Sequence, residues 1–147
     1  MTRITALECW PVSLELAEPV RQRFIAMPIK QPLAESMKTK KALMEDVLKA
    51  YSDAAAYGVA EVTTASTFQL GAVYQQFSKD LMASERPDNL DALALEQYEL
   101  LLEEQTFPFE EKAIDLYKAN TARAANGVYD DWVKRSFNAP ASIPPAR

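Results

Sequence analysis

The chain has 147 residues, 48% hydrophobic and 25% charged, with a formal net charge of −5, no histidine and one cysteine. That length supports one domain with a buried core, and the composition is too apolar for a disordered chain. The acidic balance opposes a nucleic-acid partner. Three glycines are too few for a hairpin-rich or phosphate-loop fold. Without histidine the usual general base and the commonest metal ligand are missing, and a lone Cys9 excludes an intrachain disulfide or a multi-thiolate metal site.

Residues 1–31 read as an irregular lead-in. Pro11, Pro19 and Pro28 interrupt any helix there, and residues 12–16 alternate as a short strand would. Glu8 and Pro11 break the N-terminal apolar run, so no signal peptide is expected. No stretch approaches 18 apolar residues, so no transmembrane segment is expected either.

From Pro32 the spacing becomes helical. Leu33, Met37, Met44, Val47, Leu48, Tyr51 and Ala54 recur at three- and four-residue steps, predicting a helix over residues 32–57 that Gly58 stops. A second helix follows Val59, with Ser66, Leu70, Val73, Tyr74, Phe77 and Leu81 on one stripe, and ends at Arg86-Pro87-Asp88-Asn89. Asp88 or Asn89 is placed to cap a third helix, whose inward positions are Leu90, Leu93, Ala94, Tyr98, Leu101 and Leu102. Phe107-Pro108-Phe109 ends or kinks it. A fourth helix starts at Pro108, turns Phe109, Ala113, Leu116, Tyr117 and Ala124 inward, and stops at Asn126-Gly127. A fifth, short helix covers residues 129–138, with Trp132, Val133 and Phe137 apolar and packed on the fourth. Residues 140–147, with Pro140, Pro144 and Pro145, read as an irregular tail.

One pattern occurs twice: Tyr51, Gly58 and Phe68 against Tyr117, Gly127 and Phe137. The offset of about 66 to 69 residues is close to two 34-residue helical-hairpin units. Leu70-Gly71-Ala-Val-Tyr74 has the Leu-Gly-x-x-Tyr step of a tetratricopeptide helix, where glycine lets a neighbouring helix approach closely. The expected fold is therefore all-α, a tetratricopeptide-like array of antiparallel helical hairpins with about five helices in residues 32–139. Such arrays present surfaces to other proteins.

Few residues invite a chemical reading. Glu96, Glu99, Glu103, Glu104, Glu110 and Glu111 could suggest a helical carboxylate metal site, but those sites also use a Glu-x-x-His motif. Glu96, Glu99 and Glu103 share a helix face and read as solvated acid. Thr63-Thr64-Ala65-Ser66-Thr67 offers hydroxyls without a histidine base, and reads as small residues that let helices approach. No catalytic, cofactor-binding or metal residue is assigned. Lys38, Lys40 and Lys41, together with Tyr98 and Trp132, are the candidate contacts for a partner.

Tyr57-Gly-Val-Ala-Glu-Val-Thr-Thr-Ala-Ser-Thr67, Leu95-Glu-Gln-Tyr-Glu-Leu-Leu-Leu-Glu-Glu-Gln-Thr-Phe-Pro-Phe-Glu-Glu-Lys-Ala-Ile114 and Gly127-Val-Tyr-Asp-Asp-Trp-Val-Lys-Arg-Ser-Phe137 resemble the C-terminal region of long tetratricopeptide-repeat proteins of the Gram-negative envelope, relatives of gliding-motility components among them. The resemblance implies a periplasmic, non-enzymatic scaffold that binds another protein. A self-associating helical module is the alternative, and a helical carboxylate-metal enzyme a distant one.

Overall fold

The structure, a computed structural model, describes residues 6–56 and 60–143. It is all-helical over these residues: α1 (Ala6–Ala26), α2 (Leu33–Ala55), α3 (Ala60–Met82), α4 (Ala92–Arg123) and α5 (Asp131–Asn138). Short 3-10 turns at Ala124–Asn126 and Ala139–Ser142 follow α4 and α5. Successive long helices pack antiparallel. Phe24 of α1 lies under Lys40 of α2, Lys40 pairs with Asp80 near the end of α3, and Ser78 and Thr64 of α3 meet Glu110 and Asn120 of α4. Two helices apart, α2 and α4 therefore run parallel on either side of α3.

Two expected boundaries are corrected. Residues 6–26 form a helix despite Pro11 and Pro19, not a lead-in, and no strand occurs at residues 12–16. An interior proline costs roughly 3 kcal/mol, while burying one large side chain contributes about 1.5–3 kcal/mol. Ala17 and Phe24 are fully buried against Met44, Val47 and Tyr51, with Leu14 and Val20 packed beside them. Pro19 and Glu15, whose carbonyl loses its helical donor, are both exposed, so water can reach the orphaned group.

The predicted third and fourth helices are one, α4, which runs through Pro108. Leu102 and Thr106 before the proline and Ala113 and Tyr117 after it are all buried, so both halves pack on α3 and the helix continues through the proline. Its cap is Asp91, which accepts from the Ala94 amide at 2.7 Å, and not Asp88 or Asn89. Asn89 instead takes a left-handed turn conformation with φ 66. Of the predicted inward stripe Leu102 is buried, but Leu90, Leu93 and Leu101 are exposed. Beyond Arg123 the stop at Gly127 holds. It has φ 83, and the Val128 amide donates back to the Arg123 carbonyl at 3.0 Å, the long bond of a Schellman ending. Gly58, the other glycine of the doubled pattern, lies outside the described residues.

One core runs through α1, α2, α3 and the first half of α4, with Phe24, Met44, Val47, Phe77, Leu81 and Leu102 at its centre. A smaller one joins Ala113, Tyr117 and Ile143. Ile143 is buried, so the expected irregular tail begins with a core residue. Gly71 faces Tyr117 so closely that an added Cβ would sit 2.7 Å from the ring, which is the close approach the Leu-Gly-x-x-Tyr step predicts. The Tyr117 hydroxyl donates to Gln75 Oε1 at 2.8 Å.

Burial pushes the Tyr117 phenol up from 10.0 to about 12, and raises Tyr74 as well; Tyr51 is raised by burial, with Glu18 adding and Arg21 opposing. Since the folded value lies above the unfolded one, the stabilisation from a neutral Tyr117 is complete below pH 10 and is lost between pH 10 and about 12. Tyr117→Phe should therefore show a shallower loss of stability over that window in denaturant titrations, by roughly 2 kcal/mol at its upper end. Equal slopes for the two proteins would mean the phenol is hydrated in the folded state.

Candidate interaction groove

Because α2 and α4 run parallel across α3, they leave a groove between them with α3 as its floor. Leu70 and Tyr74 form the floor, Leu48 and Ser52 the α2 wall, and Lys112, Asp115 and Leu116 the α4 wall, around a cleft of about 320 Å³. On α2, residues 38, 41, 45, 48 and 52 are three or four apart, so Lys38 and Lys41 lie on the same face as the wall.

The floor continues into an aromatic cluster. Tyr74 stacks on Phe109 with ring centroids 6.4 Å apart and an interplanar angle of 28°, and Phe77 packs on Phe109 at 4.6 Å. Two ammonium groups cover these rings. Lys112 Nζ lies 5.4 Å from the Tyr74 centroid and Lys41 Nζ 5.7 Å from the Phe109 centroid. Each such contact contributes about 0.5–1 kcal/mol at an exposed site, enough to bias the lysines toward the groove and too little to prevent their engaging a carboxylate. The groove thus offers an apolar, aromatic floor with positive charge on both walls, and with two carboxylates, Asp115 at the rim and Glu45 on the α2 face between Lys41 and Leu48. These features suit an amphipathic segment with acidic flanks.

The five sequence-predicted contact residues separate. Lys41, half-buried, covers the Phe109 ring at the groove, and Lys38, exposed, lies one turn before it on the same face of α2. Lys40 is not at the surface, and its place among the partner contacts is corrected. One position on from Thr39 turns it about 100° into the interior, where its side chain is 1% exposed. There its Nζ lies 2.6 Å from Asp80 Oδ2 and donates to the Met27 carbonyl at 2.6 Å, above the Phe24 ring at 4.8 Å. A buried ammonium is tolerated only when paired in this way, so Lys40 ties α1, α2 and α3 together. Tyr98 is half-buried against the main core and accepts from Gln31 Nε2 at 3.1 Å, bracing the loop between α1 and α2. Trp132 is half-buried on the far side of α3, its ring 5.6 Å from Phe68 and the Arg135 guanidinium 4.6 Å above it.

Phe137 does not bury α5, as its apolar character suggested, but is 55% exposed. A polar network holds α5 instead. Asn120 Nδ2 donates to the Thr64 carbonyl at 2.8 Å and to Ser136 Oγ at 3.0 Å, and Asn120 Oδ1 accepts from Arg123. Thr64 Oγ1 donates to Asp130 Oδ2 at 2.5 Å, while Asp130 Oδ1 caps α5 by accepting from the Val133 amide at 2.9 Å. Thr64 and Thr67 of the hydroxyl run on α3 are taken up in buried hydrogen bonds, whereas the buried Ser66 Oγ has no hydrogen-bond partner among the described residues. The acidic residues are dispersed: Glu110 accepts from Ser78 at 3.0 Å and Glu99 lies 3.7 Å from Arg86. Among the described residues no group of three or more His, Cys, Asp or Glu could hold a metal ion, and no helix is long and apolar enough to cross a membrane.

No family model, no curated protein and no solved structure matches this chain.

Proposed function

We propose that this chain is a non-enzymatic protein-interaction module that holds a partner segment in the groove between α2 and α4. The observation that carries the proposal is the half-buried aromatic pair of Tyr74 and Phe109, overlain by Lys41 and Lys112 from opposite walls. Concave surfaces between stacked helices are where such arrays take peptides and partner helices. The segment that fits is amphipathic, with apolar side chains toward Leu48, Leu70 and Leu116 and carboxylates toward the two lysines. The resemblance to envelope tetratricopeptide proteins gives the setting: a scaffold in a cell-envelope assembly, periplasmic in location.

The test is position-specific photo-crosslinking in envelope extract, with the reactive residue placed at the groove rim (Ser52 or Lys112) or at exposed Lys79 as control. One protein captured from both rim positions and not from position 79 is the expected result. Capture from position 79 alone, or equally from all three, would overturn the assignment of the groove. For the captured protein, Lys41→Glu with Lys112→Glu should weaken binding at least tenfold, about 1.4 kcal/mol, and should reduce its salt dependence.

A further inference from the structure

Two apolar patches toward opposite ends of α4 are exposed, and their charges are complementary. The first lies on the outer face of α4. Leu93, Leu100 and Phe107 follow one another at seven-residue steps, with Leu101 alongside, and they are 64%, 54%, 42% and 57% exposed respectively. On a helix this spacing makes one continuous seam, opposite the buried Leu102. Glu96, Glu99, Glu103 and Glu104 sit among these residues, and residues 92–107 contain no lysine or arginine. The second patch is at α5, where Tyr129 and Phe137 are 64% and 55% exposed with ring centroids 6.5 Å apart. Lys134, one turn from Phe137, is exposed beside them, against a single exposed carboxylate, Asp131, while Arg135 is exposed on the Trp132 side of α5.

We propose that the chain associates with further copies of itself head to tail, the α5 patch of one molecule covering the α4 seam of the next. One molecule cannot close the contact on itself. With its 32 residues α4 is about 48 Å long, the seam occupies its first half, and Asn120, through its bond to Ser136, fixes α5 to its far end. A symmetric pairing of two α4 seams is also disfavoured, because the glutamates flanking the seam would face each other. The remaining pairing places Tyr129 and Phe137 on the leucines, and Lys134 among the glutamates. A contact between two different patches that does not close propagates into a chain of copies. This proposal does not rest on the groove, whose α4 wall is Lys112, Asp115 and Leu116 in the second half of the helix, beyond the seam.

Sedimentation of the purified protein alone, from micromolar to millimolar concentration, tests it. The weight-average mass should at least double from the 16.5 kDa of one chain and fall back in high salt. Leu100→Asp and Phe137→Asp, both at exposed positions, should each keep the wild-type helical content and remain monomeric. An equimolar mixture of the two should form a dimer of about twice the chain mass and grow no further, since it retains one intact pair of patches. A wild-type protein that is monomeric throughout would overturn the proposal. So would single variants that still associate, or a mixture that does not.

Discussion

Asp80→Ala should destabilise the protein by about 3 kcal/mol or more, the cost of leaving a buried charge without its partner. The Asp80 carboxylate is a quarter exposed and also accepts from Gln76 at 2.8 Å, whereas the Lys40 ammonium is sealed in. Removing the carboxylate leaves that ammonium with the Met27 carbonyl and the face of Phe24. The opposite change, Lys40→Met, keeps the apolar stem and leaves a carboxylate whose Oδ2 is buried but whose Oδ1 keeps the Gln76 bond in a side chain that is a quarter exposed, so it should cost less. The double variant should cost less than the sum of the singles, with a coupling of about 1 kcal/mol or more. In thermal unfolding a loss of 3 kcal/mol corresponds to roughly 6–12 °C for a chain of this size. Equal and small effects for the two single variants would mean that Lys40 is hydrated.

Gly71→Ala sets two opposed effects against each other. Alanine in place of glycine in a helix interior gains about 1 kcal/mol. A Cβ at 2.7 Å from Tyr117 Cε1 overpacks the contact between α3 and α4, which typically costs 1–3 kcal/mol. The ring has little freedom to retreat, being packed on Phe68 with centroids 5.6 Å apart and held by its hydrogen bond to Gln75. The clash should win, for a net loss of up to roughly 2 kcal/mol, and Gly71→Val should lose more. Tyr117→Leu should relieve part of the loss in the double variant. A gain in stability for Gly71→Ala measured by chemical denaturation would show that the ring yields.

These two sites also show what the sequence could and could not reveal. The Leu-Gly-x-x-Tyr step pointed to a close approach at Gly71, because a glycine inside a helical stripe has few other uses. The spacing of Met44, Val47, Tyr51 and Ala54 likewise placed the buried face of α2. Lys40 was misplaced because a lysine in a basic run looks solvated, and its partners, Asp80 and the Met27 carbonyl, are brought to it only by the packing of three helices. The polar network on α5 was hidden for the same reason: Thr64 meets Asp130 and Asn120, 66 and 56 residues away. Prolines marked breaks that packing overrode, at Pro19 and Pro108, where the freed carbonyl faces water. The doubled pattern holds at Tyr51 and Tyr117, both buried, and fails at its third position, where Phe68 packs on Tyr117 and Trp132 while Phe137 faces solvent. Lys41 and Lys112 are far apart in sequence, so the groove between them could not be read from either.

The most direct measurement of the groove's role is amide hydrogen exchange on the free protein and on its complex with the partner captured at position 112. Slowed exchange in residues 48–52 and 112–116, with residues 93–107 unchanged, is the expected result. Slowing confined to any other surface, with residues 48–52 and 112–116 exchanging as in the free protein, would contradict it.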